Sequence, residues 1–318
     1  MKTVSIGKQK LIDHIEGIAP DGMHIFMLQN GTDRNDALRG AVLNGTRLIN
    51  EMRSAHELGI LESYILGHAY LAALLMTRSL KGTGRLNLEI GCSGPVKGLS
   101  VEAAASGEVR GYLKEVPIPV EGPVESFDTA PFFGPGILTV NRFPDGRQQG
   151  FSGNIDLLHG NLAEDIARYY LVSEQTKSTL ALSIKFDTEG DILGAGGLFV
   201  EALPGASDAF IDQVQKEIAA LPSIGEALSG GKSGRLLISE SFDSENLIFM
   251  EEREVRFHCS CSRERFRSFI ASIKLDELKD MAQNGPFPLQ TVCHNCNSIY
   301  EFPQEELSQL VVQAEERQ

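Results

Sequence analysis

Two short stretches near the C-terminus, HCSCSRERF (residues 258–266) and CHNCN (residues 293–297), hold four of the five cysteines of this 318-residue chain. The first pair is separated by one residue and the second pair by two. Residues i and i+2 of an extended chain point to the same side, so a C-x-C pair can converge on one ion, and a C-x-x-C turn can do the same. Four thiolates around a tetrahedral ion make a closed zinc site without a position for water. The predicted zinc ligands are Cys259, Cys261, Cys293 and Cys296.

The spacing of these cysteines is compatible with more than one use. Iron–sulfur clusters also take thiolate ligands, although zinc is the commoner occupant of two such pairs. A segment of about 40 to 60 residues has too small a core to fold securely alone, and structural zinc contributes about 10–16 kcal/mol of apparent binding free energy in small peptides. Oxidation would eject the zinc, so a site of this type can act as an oxidant sensor. On spacing alone, a purely structural zinc site that is never oxidised is the simpler interpretation.

Three further residues, near or outside the two pairs, are candidate ligands or reactive groups. His258 and His294 flank the sulfurs and could substitute as ligands, but four cysteines already complete a tetrahedral set. Cys92 stands alone in the strand-like LEIGCSG, where a single cysteine is most often a small buried hydrophobic residue.

The composition restricts the class of protein. The net charge is -14 and the isoelectric point is near 5.0, whereas proteins that bind nucleic acids carry basic surfaces. The first twenty residues lack the apolar run of a secretory signal, and the apolar segment Tyr64–Met76 is too short to span a bilayer. We therefore expect a cytoplasmic protein without nucleic-acid or membrane partners. Because stable disulfides are uncommon in the cytoplasm, the cysteine pairs indicate metal or redox chemistry.

The periodicity of the sequence predicts three segments. Residues 1–204 contain many strand and hairpin patterns and two helices that do not alternate as βαβ, which is typical of an α+β domain with mostly antiparallel sheets and packed helices. One of these helices begins after Asn161, a plausible N-cap. Residues 205–254 have helical patterns with modest apolar faces and predict a weakly packed helical linker region. Residues 255–318 form the small C-terminal zinc-binding domain.

Several stretches resemble one known family. VRFHCSCSRERF, the following LDEL and the later CHNCNSIYEF are similar to the redox-switch zinc domain of the thirty-three-kilodalton heat-shock protein family, which are redox-regulated holdase chaperones. LLMTRSLKGTGRLNLEIGCSGPV, GFSGNIDLLHGNLAEDIARYYLVSEQ and AGGLFVEALP resemble the N-terminal domain of the same family, in the same order. The resemblance therefore spans nearly the whole chain.

This resemblance implies a specific function. The reduced protein would be an inactive monomer holding one zinc ion per chain through the four cysteine thiolates. Oxidation would form the disulfides Cys259–Cys261 and Cys293–Cys296, release the zinc, unfold the zinc domain and the linker, and favour a homodimer. The activated protein would hold unfolding client proteins without ATP, prevent their aggregation under oxidative and heat stress, and catalyse no reaction.

Two other classes of function remain open at this stage. A zinc-stabilised module that binds RNA or a ribosomal partner would bind nucleic acid in a salt-dependent way, which the net acidity argues against. An enzyme with its active site in the α+β domain would need a pocket with convergent polar groups. The sequence offers no candidate nucleophile or base for it, and SGGKS (residues 229–233) lacks the first glycine of a phosphate-binding loop.

Overall fold

The computed structural model contains two compact units, each described by itself below. The larger unit is Ser5–His258, and the smaller unit contains Cys259–Gln318. The structure describes residues 6–31, 33–120, 122–124, 126–147, 149–242 and 246–316.

Two sheets and eight α-helices make up the described part of the larger unit. The strands are β1 (Gly22–Asn30), β2 (Asp33–Asn44), β3 (Arg85–Cys92), β4 (Gly98–Ala104), β5 (Glu108–Leu113), β6 (Gly136–Phe143), β7 (Phe151–Asp156), β8 (Ser178–Phe186), β9 (Ile192–Ala202), β10 (Leu247–Glu254) and β11 (Arg256–Phe257). The helices are α1 (Gln9–Gly17), α2 (Thr46–His56), α3 (Ile60–Met76), α4 (Ala130–Phe133), α5 (Leu162–Ser173), α6 (Asp208–Ala219), α7 (Ile224–Ser229) and α8 (Gly234–Ser241). A short 3₁₀ turn, Thr77–Ser79, follows α3.

The strand order confirms the predicted α+β class. The first sheet has the order β10-β1-β2-β9-β8 and the second has the order β11-β5-β4-β3-β6-β7. Every pairing in them is antiparallel except the short β11–β5 pair. The predicted N-cap of α5 is also present, because the Asn161 side chain accepts from the backbone N–H groups of Ala163 (3.0 Å) and Glu164 (3.4 Å).

Helix α3 is the central helix of the larger unit. It is apolar on all sides, as expected for a helix surrounded by protein. Tyr70 of this helix is fully buried, and its hydroxyl donates to the Gly111 carbonyl at 2.9 Å. The stretch Ile60–Ser79 is long and apolar enough to cross a bilayer, but 78% of it is buried inside the protein, which is the environment of a core helix.

Residues 205–254 differ from the expectation of a weakly packed linker. Helices α6, α7 and α8 bury their apolar faces in one cluster with side chains of β1, β2 and β9. The acid-rich stretch at the end of this region is strand β10, which pairs with β1 from Gly22↔Glu254 to Leu28↔Leu247. The prediction of weak packing was wrong because it relied on the high polar content of this region. Amphipathic helices and edge strands have one polar face even when their apolar face is fully packed. The division of function among residues 1–204, 205–254 and 255–318 stays a prediction.

The smaller unit is a β-hairpin packed among three helices. Its elements are α9 (Arg263–Ile270), α10 (Leu275–Asn284), β12 (Leu289–Val292), β13 (Ile299–Phe302) and α11 (Gln304–Glu315). Strands β12 and β13 pair antiparallel, with Thr291 opposite Tyr300. The buried core is small and consists of Ile270, Leu278, Ala282, Phe302, Leu307 and Leu310. A core of this size leaves room for a bound metal to contribute much of the stability.

Candidate metal centre

The C-x-C pair lies in the loop immediately before α9. The Oγ of Ser262 accepts a hydrogen bond from the Arg265 backbone N–H at 3.2 Å and so caps the helix. This cap fixes where the helix begins, at Arg263, two residues after Cys261. The chain at the two cysteines is therefore outside the helix, and their side chains are free to turn toward the second pair.

The C-x-x-C pair lies in a tight turn between β12 and β13. The Cys293 carbonyl accepts from the N–H groups of Asn297 (2.7 Å) and Cys296 (3.3 Å), and the Cys293 N–H donates to the Ser298 carbonyl at 2.9 Å. Asn297 has a φ of 54°, in the left-handed region that asparagine tolerates better than most residues. The turn therefore brings both sulfurs to the same side of the hairpin.

The four sulfurs converge as the sequence predicted. All lie within 4.8 Å of one another, and the four residues are between 2% and 9% exposed. The Sγ atoms of Cys259 and Cys293 are 3.8 Å apart, and those of Cys261 and Cys296 are 3.4 Å apart. Ligands at about 2.3 Å from one tetrahedral ion are about 3.8 Å from one another, so the arrangement could hold a single metal ion. A cluster of several irons would hold its thiolates farther apart.

The crowding of the thiols changes their ionisation. Hydrogen bonding from Cys259 and Cys296, followed by burial, raises the pKa of Cys293 well above its ordinary value. Hydrogen bonding with Cys259, together with burial, raises the pKa of Cys296 to about 11. Without a cation between them, neighbouring thiolates repel one another and the protonated thiols are favoured. A coordinating divalent ion favours the thiolates instead. The donor set is therefore suited to a soft or borderline metal cation.

Two hydroxyl groups that the sequence analysis missed contact the sulfurs. The Tyr300 hydroxyl lies 3.1 Å from the Sγ of Cys261, and the Ser298 hydroxyl lies 3.3 Å from the Sγ of Cys296. Ser298, Tyr300 and Phe302 alternate along β13 and its approach, so they face the same side. This alternation with a period of two in CNSIYEF is the sequence pattern from which Ser298 and Tyr300 could have been predicted to face the sulfurs.

Arg263 and Arg267 of α9 form a charged clamp with Glu306 of α11. Arg263 donates two hydrogen bonds to the Glu306 carboxylate, at 3.2 and 2.5 Å, and Arg267 donates a third at 3.1 Å. Arg263 also lies over the Phe302 ring, 4.6 Å from its centre. The two arginines therefore bind α11 to the segment that follows the C-x-C pair.

The other candidate residues do not join the cluster. The convergent group found among the described residues contains four cysteines and neither His258 nor His294. Cys92 is half-buried at the end of β3, whereas the sequence predicted a buried position. Burial raises the pKa of its thiol, which makes it less reactive.

A cavity beside α3 bears on the enzyme alternative. It has a volume of about 290 Å³ and is lined by His68 and Thr129, among others. Burial lowers the pKa of His68 to about 4. Within the described lining, the Thr129 hydroxyl donates to the Gly160 carbonyl at 2.6 Å, and Asn161 caps α5. These two polar side chains are used in local structure, whereas the buried Nε2 of His68 has no hydrogen-bond partner among the described residues. The cavity alone therefore does not decide the enzyme alternative.

Comparison with known proteins agrees with the fold and the cysteine cluster. The model of the family described as Hsp33 protein matches residues 27–303. The chain belongs to the Hsp33 family. Among its relatives, the 33 kDa chaperonin of Halalkalibacterium halodurans is 30% identical over 279 residues, covering 87% of this chain and 95% of that protein. The 33 kDa chaperonin of a Cyanothece species is 33% identical over 295 residues, covering 89% and 96% respectively.

A solved Hsp33 structure has the same architecture. The crystal structure of the 33 kDa chaperonin (heat shock protein 33 homolog) from Thermotoga maritima matches with a TM-score of 0.79 and 28% identity. The match covers 92% of this chain and 99% of that one. These findings confirm the predicted family and fold class, and they make this protein an Hsp33 family chaperone. Its relatives are named as chaperonins and not after a catalysed reaction.

Proposed function

We propose that this Hsp33 family chaperone is a redox-regulated holdase that is inactive when reduced and binds unfolding proteins, without ATP, when oxidised. The observation that supports this most is the arrangement of the four sulfurs. They converge within 4.8 Å of one another as a metal site would require, yet they form two pairs that are each adjacent in the chain. The same atoms therefore suit two chemical states.

In the reduced state, Cys259, Cys261, Cys293 and Cys296 would hold one zinc ion per chain. The sulfur separations of 3.8 and 3.4 Å and the all-thiolate donor set support zinc. When bound, zinc would supply no catalysis; it would join the C-x-C stretch to the hairpin that carries the C-x-x-C turn. Because the unit has a small core, the ion would account for much of its folding free energy.

In the oxidised state, we propose the disulfides Cys259–Cys261 and Cys293–Cys296. The Cys259–Cys293 and Cys261–Cys296 sulfur contacts run between the stretches, so proximity at rest does not select this pairing. The reason to prefer it is mechanical. Disulfides between the stretches would replace zinc as the link and preserve the fold, whereas disulfides within each stretch would remove the link.

Activation would then expose apolar surface. Loss of the zinc domain and release of residues 205–254 would uncover the apolar faces of α6 and α8 and the sheet positions Phe26, Val42 and Leu198, which are buried together in this structure. Such surface would bind unfolding client proteins by the hydrophobic effect. It would also favour a homodimer of the oxidised protein, with a monomer in the reduced state.

The cellular setting follows from the same chemistry. Thiolates that hold zinc persist in a reducing compartment, so we place the protein in the cytoplasm. There it would protect other proteins during oxidative and heat stress, when oxidants and unfolded chains occur together. A catalysed reaction is no part of this proposal.

The test compares reduced, zinc-loaded protein with protein treated with hydrogen peroxide at elevated temperature. We expect about one zinc ion released per chain, the two short-range disulfides in a non-reducing peptide map, and suppressed aggregation of a heat-denatured client. Cys92→Ser is the matched control and should behave like the wild type. Zinc release without any gain in suppression of aggregation would contradict the chaperone switch, and disulfides between the stretches would contradict the pairing.

A further inference from the structure

One side chain from the hairpin reaches across to the C-x-C stretch. The hydroxyl of Tyr300, in β13, lies 3.1 Å from the Sγ of Cys261. A thiolate bound to a metal has no proton to give, so in that state the hydroxyl is the donor and the sulfur is the acceptor. A hydrogen bond to an ionised acceptor is roughly twice as strong as one between neutral groups.

The position of Tyr300 is set by a contact of its ring and by the pairing of its strand. Its centre lies 5.1 Å from that of Phe266, in α9, which follows the C-x-C stretch. Its backbone pairs with Thr291 in β12. The hydroxyl is therefore aimed at Cys261 by the fold. Ser298, by contrast, reaches Cys296 only two residues away within its own turn.

We propose that Tyr300 is a positioning residue that restrains the reaction of Cys261 with oxidants and so raises the oxidant concentration needed to open the switch. The inference rests on the proposed function, because it assigns a threshold to that oxidation. The bond withdraws electron density from the sulfur lone pair that must attack the oxidant. It is weakened as soon as the sulfur loses its negative charge.

The step that Tyr300 slows is balanced as follows. The thiolate of Cys261 attacks one oxygen of hydrogen peroxide, the O–O bond breaks, and a sulfenic acid and hydroxide form. A second thiolate then attacks the sulfenic sulfur, the S–O bond breaks, and a disulfide and a second hydroxide form. Two thiolates are oxidised by two electrons and one peroxide is reduced. The two cysteines joined in the disulfide would no longer be charged ligands, so the remaining thiols would hold a divalent cation far less firmly.

The experiment uses the full-length, zinc-loaded Tyr300→Phe protein. Zinc release is followed with a chromophoric chelator at fixed peroxide concentration, and site-resolved alkylation with mass spectrometry follows the loss of each free thiol. We expect release to be about threefold to tenfold faster than in the wild type, with Cys261 consumed earlier. Ser308→Ala, which removes an exposed hydroxyl of α11 that donates to the Gln304 carbonyl, is the control and should leave the rate of Cys261 loss unchanged.

A second measurement separates restraint of reactivity from simple stabilisation. Zinc transfer to the chelator without peroxide reports how firmly the unit holds the ion. Faster release in peroxide with unchanged transfer in its absence supports the inference. An equal rise in both rates, an unchanged peroxide rate, or a slower one overturns it while leaving the proposed function intact. Wild-type protein that keeps its zinc in peroxide overturns the proposed function and this inference together.

Discussion

The charged clamp of the smaller unit predicts that Glu306→Gln weakens zinc binding without touching a ligand. The carboxylate accepts three hydrogen bonds, at 3.2, 2.5 and 3.1 Å, from two arginines that follow the C-x-C stretch. The Glu306 side chain is 16% exposed, whereas those of Arg263 and Arg267 are 42% and 37% exposed. The carboxylate of the clamp is thus largely shielded from solvent, whereas the two arginines are partly exposed.

The magnitude follows from this partial exposure. Hydrogen bonds to charged groups contribute about 1.5–3 kcal/mol each when buried, whereas exposed ion pairs contribute about 0.2–1 kcal/mol. Glutamine keeps one acceptor oxygen and loses the charge. We therefore expect a loss of about 1–2 kcal/mol from the free energy that holds the unit together around the metal.

The assay is equilibrium competition for zinc between the reduced protein and a chelator of known affinity. Because metal binding and folding are coupled in such units, the loss should appear as an apparent zinc affinity about 5-fold to 30-fold weaker. Glu305→Gln, at an exposed position on the same helix, is the matched control and should change the affinity by less than about twofold. Indistinguishable affinities for the two variants would refute the reasoning.

Three further predictions concern the larger unit. Burial raises the pKa of Asp21 from 3.8 to about 7. The unfolded chain therefore ionises this group at lower pH than the folded protein, and the free energy of unfolding falls as the pH rises from about 4 to about 7. Asp21→Asn should flatten this part of a chemical-denaturation pH series, and an unchanged slope would count against the prediction. Glu201 accepts hydrogen bonds from Arg39 and the buried Arg78, so Glu201→Gln should cost about 3–5 kcal/mol in urea unfolding, and adding Arg78→Met should recover part of that loss. Leu237 is 1% exposed in the cluster shared with the sheet, so Leu237→Ala should cost about 2–5 kcal/mol; a negligible change would restore the picture of a loose linker in the reduced protein.

Much of the candidate metal centre could be predicted because the cysteines of each pair lie close together in sequence. One residue between two cysteines, or two in a turn, already places each pair of sulfurs on one side. Few uses other than metal binding or redox chemistry suit two such pairs. The convergence of Cys259 and Cys261 with Cys293 and Cys296 follows from that chemistry, and the structure brings the four sulfurs together.

The packing of residues 205–254 could not be predicted in the same way. The helical faces of Phe210, Ile211 and Val214 were visible in the sequence, but their partners Val42 and Leu198 lie far away along the chain. Strand β10 was missed because its pairing partner β1 is more than 200 residues earlier. An apolar stripe on a helix indicates that this face needs to be buried, but it does not indicate which segment of the chain packs against it.

The sequence by itself determined the two closely spaced pairs of thiols, the antiparallel α+β class and the family. These depend on residue identity and on spacings of one to four residues. In strands, turns and helices, the backbone geometry fixes which side chains at such spacings point to the same side. The tertiary structure alone decided what surrounds that chemistry, including the hydroxyl of Tyr300 on Cys261, the clamp on Glu306 and the burial of the region before β11. Those contacts join segments that are distant in the chain, and only the packed fold determines which distant segments meet.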